Sequence, residues 1–278
     1  MKTKIMKKTM QVGKSLLASA VLASGLFGNV KNVEAQEVAP YGDGQANVMT
    51  EQRIEKEDFA YSANVSSGVH TKYLGTYGFS LSENPVVQSD LNVNMPGLTV
   101  GTWSNYDPKL GLNELDFYAV KSFDVSRISK HLTLNSDFWT FTFPSIDFPT
   151  VYTLGVDIGT KDLPVNFDLH AIQAFGDGSN WGQFFQLRAS KNLPLTENKK
   201  LNLGLESRVS YNNGYFAEGS GLTAISGATT LNYDLGKGYS ISAYGRAQTV
   251  VDDFGGQFKG DWAAGISFGK SFSFGGRK

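Results

Sequence analysis

From Asp261 to Phe274 the chain alternates almost without a break. Trp262, Ala264, Ile266, Phe268, Phe272 and Phe274 share one parity, interrupted only by Lys270. Ala263, Gly265, Ser267, Gly269, Ser271 and Ser273 share the other. Successive side chains of a strand point to opposite faces, so this segment carries one large apolar face and one small, mostly polar face. The same alternation recurs along most of the chain behind a secretory signal. That combination predicts an all-β fold, a transmembrane up-and-down antiparallel β-barrel with lipid outside and a polar interior.

The signal is read from the first 35 residues. Lys2, Lys4, Lys7, Lys8 and Lys14 give a positive start, Leu16 to Phe27 an apolar stretch, and Val33-Glu34-Ala35 a cleavage site before Gln36. The apolar stretch is too short, and too rich in Ala, Ser and Gly, for an uncleaved membrane anchor. No other segment approaches the length of a membrane-spanning helix, so a membrane can be crossed only by strands. Removing residues 1–35 takes away six Lys and one Glu and leaves 19 basic against 25 acidic residues, a formal charge of −6. Nucleic acid is therefore not an expected partner, because it requires a basic footprint. The chain has no cysteine, which excludes disulfides, thiol nucleophiles and Cys-ligated metals.

Three segments follow: a signal peptide over 1–35, a polar extension over 36–57 without alternation, and a barrel over 58–278. The barrel is read as twelve strands near 65–77, 86–95, 98–105, 113–123, 130–141, 150–159, 165–175, 181–190, 199–211, 221–234, 238–249 and 261–274. Met95-Pro96-Gly97, Thr160 to Pro164 and Gly236-Lys237-Gly238 read as tight turns on the periplasmic side, and 212–220 and 250–260 as longer outer loops. Aromatic residues near strand ends (Tyr73, Trp181, Tyr211 and Tyr233) suit an interfacial girdle. The competing reading is a soluble sandwich or solenoid with one wet face. Strand length and the small turns argue against it.

Residues 84–118 carry a family resemblance. Asn-Pro-Val-Val-Gln at 84–88, Gly-Leu-Thr-Val-Gly-Thr-Trp-Ser-Asn at 97–105 and Glu-Leu-Asp-Phe-Tyr at 114–118 follow one another. This pattern resembles the TorF-like bacterial outer-membrane barrels, a family named for its Gly-x-Trp motif. The resemblance implies fold and compartment and no particular chemistry. Outer-membrane barrels commonly end on an aromatic residue read by the barrel-assembly machinery. Here Phe274 is followed by Gly-Gly-Arg-Lys, so the reading falls on Phe272 and Phe274.

Parity turns Glu114, Asp116, Asp137, Asp157, Asp168 and Glu206 inward, together with Arg188, Arg208, Arg246 and Lys72. Opposed acidic and basic walls would filter polar solutes by charge. Alternatively these groups pair with one another and plug a narrow barrel. Trp103 shares the parity of Gly101 and Asn105 and reads as interior packing. No cofactor is expected. Gly176-Asp177-Gly178-Ser179 offers a single carboxylate, too few oxygens for calcium, and no other metal motif is present. Of the histidines, His70 and His170 fall on the inward parity. His131 and His170 lack the His-x-Ser-Asn-Gly setting of outer-membrane phospholipases, so no enzyme is expected. The sequence thus predicts a porin-like channel for small polar solutes, in contact with outer-membrane lipid. Its alternative is a closed barrel acting as a structural or interaction platform through the outer loops.

Overall fold

The computed structural model describes residues 61–75, 80–145, 149–176, 182–215, 219–253 and 260–274. The signal peptide, the 36–57 extension, Trp181 and most of the Gly176–Ser179 turn lie outside the described residues. The strands are β1 (Tyr61–His70), β2 (Tyr73–Leu74), β3 (Ser80–Ser82), β4 (Val86–Met95), β5 (Leu98–Asp107), β6 (Gly111–Phe123) and β7 (Leu132–Thr142). They continue with β8 (Val151–Thr160), β9 (Asn166–Gly176), β10 (Gln183–Pro194), β11 (Leu201–Asn213), β12 (Ser220–Gly236), β13 (Tyr239–Val250) and β14 (Asp261–Phe274).

Twelve of these strands, β1 and β4 to β14, form one closed barrel in which every neighbour is antiparallel. The ring closes where β1 meets β14, with Tyr61 opposite Phe274 and His70 opposite Gly265. Closure removes the free sheet edges, so every strand finds backbone partners on both sides. The two-residue turn at Pro96-Gly97 joins β4 to β5, with Gly97 at φ 67°. A proline followed by a residue of positive φ suits a type II turn, and glycine adopts that φ at no steric cost.

The faces of the barrel are inverted relative to a soluble sandwich. Leu91, Phe167 and Ile266 point outward at 49%, 51% and 60% exposure, whereas Asn92, Asp168 and Ser267 beside them are buried. Each large apolar side chain left in water forgoes about 1.5–3 kcal/mol of burial. A belt of them around the barrel is stable only against lipid. A sandwich core would need the opposite arrangement, so that reading falls.

Lys270, the one break in the outward parity of β14, reaches the backbone carbonyl of Lys237 and lies 3.8 Å from the Tyr239 ring centre. Its charge is thus drawn to the end of the strand while its stem covers apolar surface. Tyr211 and Tyr233 face outward near the ends of β11 and β12.

One strand is misplaced by the sequence reading. The first strand runs over Tyr61–His70 and not over 65–77. Its upstream half alternates Tyr61, Ala63 and Val65 with Ser62, Asn64 and Ser66, and these small residues blur the apolar contrast. Beyond His70 the alternation stops, because the adjacent Tyr73 and Leu74 are both buried. They form the short β2, which pairs with β3 in a separate two-stranded sheet. Tyr73 therefore belongs to no outer girdle. It is inserted among inward-facing side chains.

Candidate functional site

Inward parity collects most of the charge into the barrel interior. Asp90 on β4, Glu114 and Asp116 on β6, Asp137 on β7 and Asp157 on β8 are all buried. Arg188 on β10, Arg208 on β11 and Arg246 on β13 provide the guanidinium groups, with Asp168 on β9 and Glu206 on β11 between them. In the ring order, β4, β6 and β7 stand across from β10, β12 and β13. The interior therefore has an acidic wall and a basic wall.

The basic wall is a network around Glu206. Its carboxylate lies 2.5 Å from Arg208 Nε, 3.8 Å from an Arg188 Nη and 3.9 Å from an Arg246 Nη. Arg188 also donates from Nε to Asp168 Oδ2 at 3.1 Å. The planar guanidinium, with five donors, suits such shared contacts. Burial makes the network costly to disturb, because a charge removed from water needs its partner.

The acidic wall is held differently, by uncharged donors and one imidazole. Tyr118 donates its hydroxyl to Asp90 at 2.8 Å, and Asn92 donates its amide to the other oxygen at 2.7 Å. From Asn92 a ladder of amides and hydroxyls runs across the closing seam. Asn64 donates to Asn92 at 2.9 Å, and Ser271 donates to Asn64 at 2.5 Å. Asn135 donates to Asp157 at 3.3 Å. Asp137 and His170 Nε2 are 2.9 Å apart, although β8 separates their strands.

Two glycines make these crossings possible. A Cβ on Gly155 would lie 2.5 Å from Asp137 Oδ1 and 2.6 Å from His170 Nε2. Only a bare backbone on β8 lets the two side chains meet above it. Gly101 plays the same part on β5, where a Cβ would overlap the Tyr118 ring and sit 2.8 Å from Leu91 O. Tyr118 thereby crosses β5 from β6 to reach Asp90 on β4. Gly101 is also the glycine of the Gly-x-Trp motif, and Trp103, the next inward residue, is buried as expected.

Aromatic side chains fill the interior beside the acidic wall. Tyr118 stacks on Trp139 at 4.5 Å between ring centres, Trp139 on Phe141 at 5.9 Å, and Tyr73 lies tilted to Trp103 at 5.6 Å. Val86 and Val120 complete this cluster. Tyr73 comes from the connection between β1 and β4, and Lys72 anchors that connection. Lys72 Nζ lies 2.6 Å from Asp261 and 3.3 Å from Glu83. The hydrogen bond to Asp261 raises the Lys72 pKa above its ordinary value. Lys72 thus lies outside the strands, tying β14 to a loop, and not on an inward strand position.

Apart from Lys72, the nine other charged positions singled out in the sequence fall into two neighbourhoods. Asp168, Arg188, Glu206, Arg208 and Arg246 share one network. Glu114, Asp116, Asp137 and Asp157 stand on the other wall. Asp90 and the Asn64–Asn92–Asn94 ladder are additional members. The inward parity of Asp90, Asn92 and Asn94 is legible in the sequence but their pairing is not, and Asn64 lies outside the first strand as the sequence reads it. His70 and His170 are both buried inside, and His70 packs 5.0 Å from the Tyr244 ring over Gly265.

No family model and no curated protein matches the chain. Among solved structures it is similar to an outer membrane channel from Pseudomonas putida F1, at 12% identity and a TM-score of 0.49, over 80% of this chain and 98% of that one. It is also similar to the NanC porin, at 11% identity and a TM-score of 0.48, over 76% of this chain and 100% of that one. A KdgM porin in complex with disordered oligogalacturonate gives 12% identity and a TM-score of 0.47, over 77% of this chain and 99% of that one. At identities this low, no function carries across.

Proposed function

We propose that the protein is a bacterial outer-membrane barrel, exported with a cleaved signal peptide over 1–35, that passes small polar solutes as a narrow porin-like channel. The observation that carries this reading is the division of the interior. Carboxylates of β4, β6, β7 and β8 stand across from guanidiniums of β10, β11 and β13, and such a transverse field orders polar solutes by charge and dipole. The resemblance of residues 84–118 to TorF-like barrels supports the compartment. Outer-membrane lipid contacts the apolar belt, and Phe272 and Phe274 are the residues offered to the assembly machinery. No catalytic role is assigned.

Inward carboxylates outnumber guanidiniums, with Asp90, Glu114, Asp116, Asp137, Asp157, Asp168 and Glu206 against Arg188, Arg208 and Arg246. A conducting lumen of this composition would favour cations. The test is conductance of the refolded mature chain in a planar bilayer, with heat-modifiable gel mobility as the control for folding. Stepwise conductance with a cation-favouring reversal potential is expected. Replacing Arg208 and Arg246 by Ala should strengthen that preference, and unchanged selectivity would remove these residues from the conduction path.

A second reading rests on the filled side of the interior. Tyr73, Glu114 and Asp116 are 0% exposed and Trp139 is 1% exposed, which is the packing of a closed barrel. In that case the protein serves as a structural or interaction platform through its 212–220 and 250–260 loops. A correctly folded barrel that stays silent in the bilayer would select this reading.

A further inference from the structure

One end of the barrel is ringed with positive charge, and the chain supplies a segment of opposite sign at that same end. The strands are antiparallel neighbours throughout, so the start of β1 lies at the end that carries the turns 96–97, 124–131, 161–165, 195–200 and 237–238. Ser62 at the start of β1 pairs with Asn94, next to the first of those turns. Together the five turns hold Arg127, Lys130, Lys161, Lys199, Lys200 and Lys237 against Asp124, Asp162 and Glu197. Of these acids, Asp124 is already engaged. Hydrogen bonds from Ser126, together with Arg127 and Lys161 nearby, hold its carboxyl below the usual range.

Residues 36–60 lead directly into β1. They carry Glu37, Asp43, Glu51, Glu55, Glu57 and Asp58 against Arg53 and Lys56, a formal charge of −4. Extended at about 3.3–3.6 Å per residue, such a segment reaches on the order of 80 Å. A ring of strands spaced about 4.8 Å apart is far smaller, so every turn at this end is within reach. Covalent attachment also gives the segment an effective concentration on the order of millimolar, which a free anionic partner must exceed.

We infer that the acidic segment 36–60 docks on the basic turns of its own barrel, and that this surface exists for an intramolecular partner. The contact therefore lies at the end of the barrel through which β1 is entered. The attraction is electrostatic and acts on turn cations that are mostly exposed, and it is therefore sensitive to salt.

The test uses the refolded mature chain beginning at Gln36, in uncharged detergent and in bilayers with and without phosphatidylglycerol. A carbodiimide couples carboxylates to amines that are already in contact, and peptide mapping locates the products. Cross-links from Glu51, Glu55, Glu57 or Asp58 to Lys130, Lys161, Lys199, Lys200 or Lys237 are expected within one chain. Their yield should fall severalfold between about 0.01 M and about 1 M salt, where the screening length shrinks from about 30 Å to about 3 Å. A dye on Gln52→Cys gives an independent readout. Its anisotropy should fall when Lys199, Lys200 and Lys237, which are exposed turn residues, are replaced by Glu in a barrel that retains heat-modifiable mobility. Two outcomes overturn the inference. One is cross-links confined to the segment itself, with an anisotropy indifferent to salt and to the rim charges. The other is cross-links that form in detergent and disappear in phosphatidylglycerol bilayers, which would assign the basic turns to lipid headgroups.

Discussion

Glu206→Gln is the substitution that probes the interior most directly. The carboxylate contacts Arg208 at 2.5 Å and lies within 3.9 Å of Arg188 and Arg246, with side-chain exposures of 7% for Glu206, 5% for Arg208 and 2% for Arg246. The amide keeps an acceptor of nearly the same shape but removes the negative charge. Arg188 retains Asp168 at 3.0 Å, whereas Arg208 and Arg246 lose the carboxylate that stands between them. Removing one partner of a buried charge cluster costs about 3–5 kcal/mol. Here we expect the lower end, about 3 kcal/mol, because Arg188 is 20% exposed and the amide still accepts a hydrogen bond. At about 1.4 kcal/mol per factor of ten, that lowers the folding equilibrium constant roughly a hundredfold.

The assay is equilibrium urea unfolding of the barrel in lipid vesicles, followed by tryptophan fluorescence and by heat-modifiable mobility. Adding Arg246→Met to Glu206→Gln should recover part of the loss, since replacing both members of a buried pair costs less than orphaning one. A Glu206→Gln barrel within about 0.5 kcal/mol of the parent would refute the reasoning. It would show that the network is solvated, as surface pairs of that small worth are.

The remaining predictions concern the glycines, the inserted tyrosine and the anchoring lysine. Gly101→Ala should destabilise the barrel by about 1–3 kcal/mol, because the added methyl overlaps Tyr118 and approaches Leu91 O. Gly245→Ala on β13, where nothing lies within 4 Å, should be neutral or slightly stabilising in the same urea titration. If the lumen conducts, Tyr73→Ala should raise single-channel conductance, since it empties the space the ring fills beside Trp103. Equal conductance would place the constriction elsewhere. The raised Lys72 pKa means that its ion pair stabilises the fold fully below the ordinary value of 10.5 and is lost as pH rises through the higher folded value. As pH is raised from neutral, limited proteolysis between β1 and β4 should therefore accelerate once the solution is strongly alkaline, and Lys72→Ala should abolish that alkaline dependence.

Much of this architecture is local in origin and could be read from the chain alone. A strand turns each side chain to the face opposite its neighbour, so Leu91 and Asn92, or Phe268 and Ser267, are assigned to lipid and interior by parity. With that pattern repeated over twelve segments, an inside-out closed sheet is the arrangement that satisfies both the apolar belt and the backbone. Parity misled only where it was faint or absent. Ser62, Ala63, Asn64 and Ser66 hid the true start of β1, and Tyr73 follows no alternation at all.

What parity cannot supply is which inward groups meet, since that depends on pairing register and on what the intervening strand carries. Asp137 and His170 are 33 residues apart and touch because Gly155 leaves the space above β8 empty. Asp90 receives Tyr118 across Gly101 for the same reason. Glu206 gathers guanidiniums from β10, β11 and β13, a convergence fixed by pairing register, since Glu206 stands opposite Ala228, Ala228 opposite Arg246, and Arg208 opposite Arg188. Side-chain direction is set within one strand and is written in the sequence. Contact between side chains is set by several strands at once, and only the folded barrel decides it.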